Sequence, residues 1–379
     1  MTAALPDETH ELHRRTCLAF VRDEVAPHVV EWEEAGEFPR ELYTKAARAG
    51  ILGASFPEEY GGAGGDLFHS LVGTEALLTG GSTGMVAGLG SLGIAMPPVL
   101  LLGTDTQKAR FLPPVFAGEK IAALAITEPG AGSDVAGVTT RAERRGDEYV
   151  LNGAKLFITS GVRADFVTVL ARTGPDPHGG LTFFIVEKNT PGFSVSRALK
   201  KTGWWASDTA ELAFADVRVP LENRIGDEGS AFVALMRNFQ NERLGLAFMG
   251  HATAEIALQD AIDYAKERRA FGRPLSGFQV TRHKLANMAT KVAVAKSFNY
   301  DLARRTMAGE YLVGETSMAK NFSSQVAVEV CYDAVQILGG MGYMRETRVE
   351  RLSRDARLLP IGGGTSEVMN EIIAKRIGL

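Results

Sequence analysis

A chain of 379 residues, 45% of them hydrophobic, is long enough to bury more than one core. Its 41 basic and 45 acidic side chains leave a formal net charge of −4 and form no basic stripe, which argues against a nucleic-acid partner. The longest apolar runs, such as Ile94 to Leu102, are shorter than a bilayer span, and Met1 to His10 carries acids without an apolar core, so neither a membrane-spanning nor an exported chain is expected.

Up to about residue 120 the pattern is helical and broken by glycine-rich loops. Leu18 to Val30, Arg40 to Ala49 and Leu67 to Leu78 have helical spacing, and Ser55 to Asp66 reads as a turn-rich loop. His10 and His13 sit at helical spacing on a polar terminus with no further ligands nearby, and are expected to be solvated. Gly88-Leu-Gly-Ser-Leu-Gly93 matches the string of a dinucleotide-binding turn. That turn needs a preceding strand and an acid about twenty residues on, and here the flanks are helical. Small residues permitting close helix packing are the better reading.

From about residue 121 to 225 the period switches to two. Tyr149 to Leu151, Asn152-Gly153 and Ala154 to Thr159 read as a hairpin closed by a type I′ turn. Phe166 to Ala171, Thr182 to Val186, Phe193 to Ser196 and Glu211 to Phe214 are further strands. With no helices between them they describe an antiparallel β domain, not a parallel dinucleotide fold. Ser230 to Arg269, Phe278 to Ala308, Ser317 to Leu338 and Ser366 to Ile377 are helical and describe a bundle. The fold class is therefore α+β, with a helical domain over 1–120, an antiparallel β domain over 121–225 and a helical bundle over 226–379. Cys17 and Cys331 lie far apart without C-x-x-C spacing and read as free thiols of a reducing, cytoplasmic compartment.

Chemistry-bearing residues concentrate at a few places. Leu358 to Val368 ends an apolar run at Pro360, continues with the triplet Gly362-Gly363-Gly364, and opens a last helix at Thr365-Ser366-Glu367. Thr or Ser there is an N-cap signal, and free N–H groups behind glycines suit a carbonyl oxygen or an anion. Ala122 to Asp134 offers Thr and Ser hydroxyls on a loop, and Phe157-Ile-Thr159 an aromatic and a hydroxyl at a strand end. Phe232, Leu235, Phe239, Leu246 and Met249 mark one apolar helix face, and Glu242 falls on it. A carboxylate there costs several kcal/mol unless paired, so either a basic group from another helix meets it or it has a function. Ala334 to Tyr343, with Arg268-Arg-Ala-Phe-Gly272 and Gln279, adds a second glycine-rich, basic and aromatic set.

Leu124-Ala-Ile-Thr-Glu-Pro-Gly-Ala-Gly-Ser-Asp134, Phe157-Ile-Thr159, Glu267-Arg-Arg-Ala-Phe-Gly272, Gln336-Ile-Leu-Gly-Gly340 and Gly364-Thr-Ser366 resemble the motifs of the acyl-CoA dehydrogenases, in order along nearly the whole chain. The resemblance implies that family's three-domain fold with a C-terminal four-helix bundle, FAD, a homotetramer built as a dimer of dimers, an acyl-CoA substrate and an electron-transferring flavoprotein as acceptor. By position, Leu124, Ile126, Thr127, Phe157 and Thr159 would line the flavin, and Ser133 would sit by the cofactor and the CoA arm. Arg268, Phe271 and Gln279, with Gln336, Gly339 and Gly340 across a subunit interface, would hold the adenosine and pyrophosphate. Thr365 and Glu367 would touch FAD, and Arg243 would lie along the thioester.

The implied reaction takes a proton from Cα and passes a hydride from Cβ to the flavin, giving a trans-2-enoyl-CoA. In most relatives the base is a Glu just before the terminal Gly-Thr, and here that position is Gly363. Asn241-Glu242-Arg243-Leu244 resembles the alternative of the long-chain and isovaleryl-CoA enzymes, whose base is a Glu-Arg on the helix after the β domain. Glu242 is thus the expected base, with the Gly363 N–H on the thioester oxygen. Gly362, where many relatives have Tyr, and the uncharged region of Val86, Leu89, Gly90 and Ile94 point to a branched-chain or medium-to-long acyl group. The other readings are a flavin monooxygenase or oxidase and a non-catalytic acyl-thioester binding protein on the same fold.

Overall fold

The computed structural model describes residues 6–379; the expectation for Met1 to Leu5 lies outside the described residues. The first helix, Glu8–Phe20, starts at Asp7, whose carboxylate accepts from the His10 N–H while the His10 ring accepts from the Asp7 N–H. Leu67–Leu78 repeats the device with Asp66 and His69. These reciprocal caps satisfy N–H groups that a helix start would otherwise strand. The two caps interlock: His10 Nε2 lies 3.1 Å from the Asp66 carboxylate, and the His10 and His69 rings are 4.2 Å apart. The expectation of solvated histidines therefore fails. His10 is buried, and burial beside His69 and His10 lowers the His13 pKa to about 4.

Leu18 to Val30 is not one helix. The chain relaxes into a π-turn over Val21–Val25 before Val29–Ala35. Thr83 to Leu102 is a 20-residue stretch apolar enough to cross a membrane by composition, longer than the run read from sequence. It is broken into Thr83–Gly90, Leu92–Ala95 and Pro97–Leu102, and more than half of it is buried inside the protein. The Gly88 string lies within these helices, and a Cβ at Gly88 would meet the Phe38 ring at 2.6 Å, so close packing accounts for that glycine. Gly90 and Gly93 face open space instead.

Among the described residues, eight strands form one sheet, largely antiparallel, with Ala122–Ala125 running parallel to Phe166–Arg172. Asn152-Gly153 is not a hairpin turn. It lies inside the single strand Glu148–Thr159, at a register shift against Thr209–Pro220. Asn152 exchanges two hydrogen bonds with Asp216 across that bulge, at 3.0 and 2.9 Å. The hairpin turn is Gly146-Asp147, between the paired residues Arg145 and Glu148. The bundle contains Ala231–Glu267, Gln279–Met307, Val313–Leu338 and Ser366–Arg376, with the short helix Arg348–Ala356 against it. Gln107 Nε2 donates to the Glu222 and Arg224 carbonyls, both at 2.7 Å, and ties the first domain to the end of the sheet. Cys17 and Cys331 are both free and buried.

Candidate active site

Glu242 sits where the long helix meets the glycine turn before the last helix. Thr365 caps that last helix, its Oγ1 accepting from the Val368 N–H at 3.3 Å. Gly363 and Gly364 take φ of 63° and 103°, a region costly to any other residue. A side chain at 363 would also have to displace the end of Leu246. A Cβ built there would lie 2.3 Å from Leu246 Cδ1 and 3.6 Å from Glu242 Oε1. The Glu242 carboxylate therefore stands beside the volume that a residue-363 side chain would enter. Gly362 differs, because a Cβ there would make ordinary contacts with Leu358 at 3.7 and 3.9 Å. Glycine is favoured at 363 by its left-handed backbone and optional at 362.

The apolar face read from sequence is buried as a unit. Leu235, Leu246 and Met249 are buried, and half-buried Phe232 and Phe239 pack against the same core. Glu242 itself is half-buried and makes no direct ion pair among the described residues. Burial pushes its pKa up to about 7, against the charges of Arg243 and Lys320. Arg243 turns its Nε to the Gly363 carbonyl at 3.3 Å, with its guanidinium 5.9 Å from the Phe239 ring.

Lys320 escaped the sequence reading. It is fully buried on Val313–Leu338, and its Nζ donates to the Gly364 carbonyl at 2.5 Å. The available signal was position: Lys320 shares the buried face of Ser323, Ala327, Val330 and Cys331. Next to it, Asn321 donates to the Ser366 carbonyl at 3.1 Å, so one helix turn holds the terminal turn twice.

A second set of residues meets at the edge of the sheet. Ala122–Ala125 continues into Ile126 and Thr127, and the Leu156 N–H donates to the Thr127 carbonyl at 2.8 Å. This brings Leu124, Ile126 and Thr127 beside Phe157 and Thr159. Phe157 has a φ of 62° and is 64% exposed, a large ring held outward on strained backbone. Below it, Lys155 Nζ donates to the Ile126 carbonyl at 2.8 Å and to Glu128 Oε1 at 2.9 Å. Burial alone would raise the Glu128 pKa, but Lys155 and hydrogen bonds from Thr140 and Thr139 outweigh it and hold it at about 2. Ser133 lies on the exposed part of the same loop.

Arg268, Phe271, Gln279, Gln336, Gly339 and Gly340 form a third, exposed set at one end of the bundle. A Lys284–Asp333 ion pair of 2.8 Å holds the two helix ends together there. No hydrogen bond joins this set to Glu242 among the described residues. A cavity of about 640 Å³ lies along the long helix, lined by Met236, Gln240, Asn241, Leu244, Tyr311 and Thr316. The buried Gln240 Oε1 beside it has no hydrogen-bond partner.

The chain thus joins a helical domain, a largely antiparallel sheet and a helical bundle, with a carboxylate beside the terminal glycine turn. Family models for the N-terminal, middle and C-terminal domains of acyl-CoA dehydrogenase match residues 7–119, 123–217 and 229–378. The chain belongs to the acyl-CoA dehydrogenase family, whose members are FAD-dependent oxidoreductases. It is 40% identical over 371 residues to the mitochondrial long-chain specific acyl-CoA dehydrogenase of Mus musculus, covering 97% of this chain and 86% of that one. It is 37% identical over 375 residues to the CarC subunit of the caffeyl-CoA reductase–Etf complex of Acetobacterium woodii, covering 97% of each. The crystal structure of a probable acyl-CoA dehydrogenase from Mycobacterium abscessus superposes with a TM-score of 0.97 at 52% identity, over 98% of this chain and 100% of that one.

Proposed function

We propose that the chain converts a branched-chain or medium-to-long acyl-CoA to its trans-2-enoyl-CoA, with Glu242 as the base. The observation that carries this reading is the Glu242 carboxylate, 3.6 Å from where a Cβ at 363 would stand. An α-proton of a thioester is weakly acidic, so a base near neutral pKa and a hydrogen bond to the carbonyl oxygen are both required. Glu242, with its pKa raised to about 7, meets the first requirement. The Gly363 N–H, bonded to nothing else among the described residues, is suited to the second.

The residues present fit a flavin. Phe157 offers an exposed ring on a strand whose Leu156 N–H bonds the Thr127 carbonyl, so Leu124, Ile126, Thr127 and Thr159 would complete the flavin face. Ser133, Thr365 and Glu367 would complete that half. Arg268, Phe271 and Gln279 of one subunit, with Gln336, Gly339 and Gly340 of another, would hold the adenosine diphosphate half in a homotetramer. When bound, FAD supplies the acceptor for the hydride leaving Cβ. Arg243, Gly362 and Gly364 would border the thioester, and the unpartnered Gln240 Oε1 would accept from an amide of the CoA arm. An electron-transferring flavoprotein is the proposed acceptor, supported by the Etf-associated relative. A cytoplasmic location rests on the two free thiols.

Glu242→Gln tests the reading. The variant should purify yellow and FAD-bound, yet lose bleaching of the flavin by acyl-CoA under anaerobic conditions. Bleaching at the parent rate overturns the base assignment.

A further inference from the structure

The glycine turn is held from behind by two cations on consecutive carbonyls. Arg243 Nε donates to Gly363 O at 3.3 Å and Lys320 Nζ to Gly364 O at 2.5 Å. A trans peptide points its C=O and N–H in opposite directions. Drawing the Gly363 carbonyl toward Arg243 turns the Gly364 N–H the other way, and drawing the Gly364 carbonyl toward Lys320 does the same to the Thr365 N–H. Neither N–H bonds to the protein among the described residues. Glycine backbone has little intrinsic preference, so this turn depends on outside contacts to keep one conformation.

A buried lysine is an expensive way to hold one carbonyl, since an amide or hydroxyl would do so without desolvating a charge. Lys320 is fully buried, and the charged groups facing it come from two other elements: Arg243 and Glu242 on the long helix and Glu367 on the last one. We propose that Lys320 is a positioning residue for the dehydrogenation: by holding the Gly364 carbonyl it fixes the turn from which the Gly363 N–H projects, and it supplies the positive field that keeps Glu242 available as a carboxylate. The proposal rests on Glu242 being the base. Burial and Arg243 push the Lys320 pKa down to about 8, against Glu242 and Glu367, so the ammonium is held at neutral pH and lost in mild alkali.

The test compares Lys320→Met, Lys320→Arg and Glu242→Gln as FAD-loaded proteins, by anaerobic flavin reduction against pH and by calorimetric binding of the enoyl-CoA product. Lys320→Met should keep FAD and bind product within about threefold of the parent. Its reduction rate should fall about 10–100-fold, the range expected for a misaligned donor. The pH midpoint of its reduction should rise by about one unit as the carboxylate loses a cation. Lys320→Arg, which stays protonated, should recover most of the rate and extend the high-rate plateau to higher pH. Parent-like rate and midpoint in Lys320→Met, or equal losses in the Met and Arg variants, overturn the proposal. If Glu242→Gln keeps the parent rate, the base assignment falls instead, whatever the Lys320 variants do. Should Lys320→Met not fold, the alkaline limb of Lys320→Arg decides: a limb unchanged from the parent overturns the proposal.

Discussion

At the scale of single residues, glycine at 363 and glutamate at 242 are one solution to one steric problem. Leu246 occupies the space a side chain at 363 needs, and the backbone there has a φ of 63°. Moving the acid back with Glu242→Gly and Gly363→Glu should therefore lower flavin reduction by about 5–30-fold, since left-handed backbone costs about 1–2 kcal/mol, with displacement of the Leu246 methyl adding to the loss. Adding Leu246→Ala to that double variant should recover part of the rate; no recovery would show that Leu246 is not the obstacle. Glu242 also carries a signed pH dependence. Its folded pKa is raised to about 7, so its proton is bound more tightly in the folded than in the unfolded chain. Stability is then lost as pH rises through about 7, and Glu242→Gln should melt higher than the parent near pH 8, with the gap closing near pH 4. Calorimetry at the two pH values checks the sign. The kcat/KM for acyl-CoA should run the opposite way, rising about tenfold per unit below pH 7, levelling between about 7 and 8, and falling in mild alkali as Lys320 loses its proton. Gly362 is the freer position, and Gly362→Tyr should fold and shift preference toward unbranched substrates, read as the ratio of kcat/KM for straight and 3-methyl thioesters.

Elements were legible where one face is apolar and illegible where a polar residue has a buried task. The long helix follows its apolar spacing, and the strand Phe166–Arg172, buried on both faces, shows as a continuous apolar run where the sequence puts it. Asn152-Gly153 misled because a bulge calls on the same residue pair as a tight hairpin, and only the pairing with Thr209–Pro220 tells them apart. The strand Arg141–Arg145 was invisible, since Ala142 alone is buried in a run of charges. Of the site, the motifs and Glu242 could be read, whereas Lys155 and Lys320 could not. A lysine bonded to a carbonyl from another element leaves no local pattern. Lys155 makes the same point at the sheet edge, where it fixes the Ile126 carbonyl and balances Glu128. Lys155→Met strands a buried carboxylate, a loss of about 3–5 kcal/mol, and should release the loop from Ile126 to Asp134. We expect lower melting and at least about tenfold weaker FAD retention, measured by cofactor loss on dilution. FAD affinity within twofold of the parent would separate the loop from the cofactor.

At the scale of the whole molecule, one chain leaves an apolar surface it does not cover. Phe271 is 95% exposed and Tyr343 79%, with Val280, Tyr332 and Met341 also exposed on the bundle. In the proposed homotetramer a second copy of the chain would cover these rings. The same bundle end carries Arg268, Gln279, Gln336, Gly339 and Gly340, so assembly and cofactor binding should be linked. If two subunits share the adenosine diphosphate half of FAD, the cofactor stabilises the oligomer and the oligomer tightens the cofactor by the same free energy. Tyr343→Asp should then weaken assembly and FAD retention together, and added FAD should shift the variant back toward the larger species in sedimentation. Phe271→Ala trims the ring without adding charge, and should show the same coupling in smaller measure. A dissociated variant that holds FAD as tightly as the parent would mean that each chain binds its cofactor alone, and the exposed rings would need another explanation.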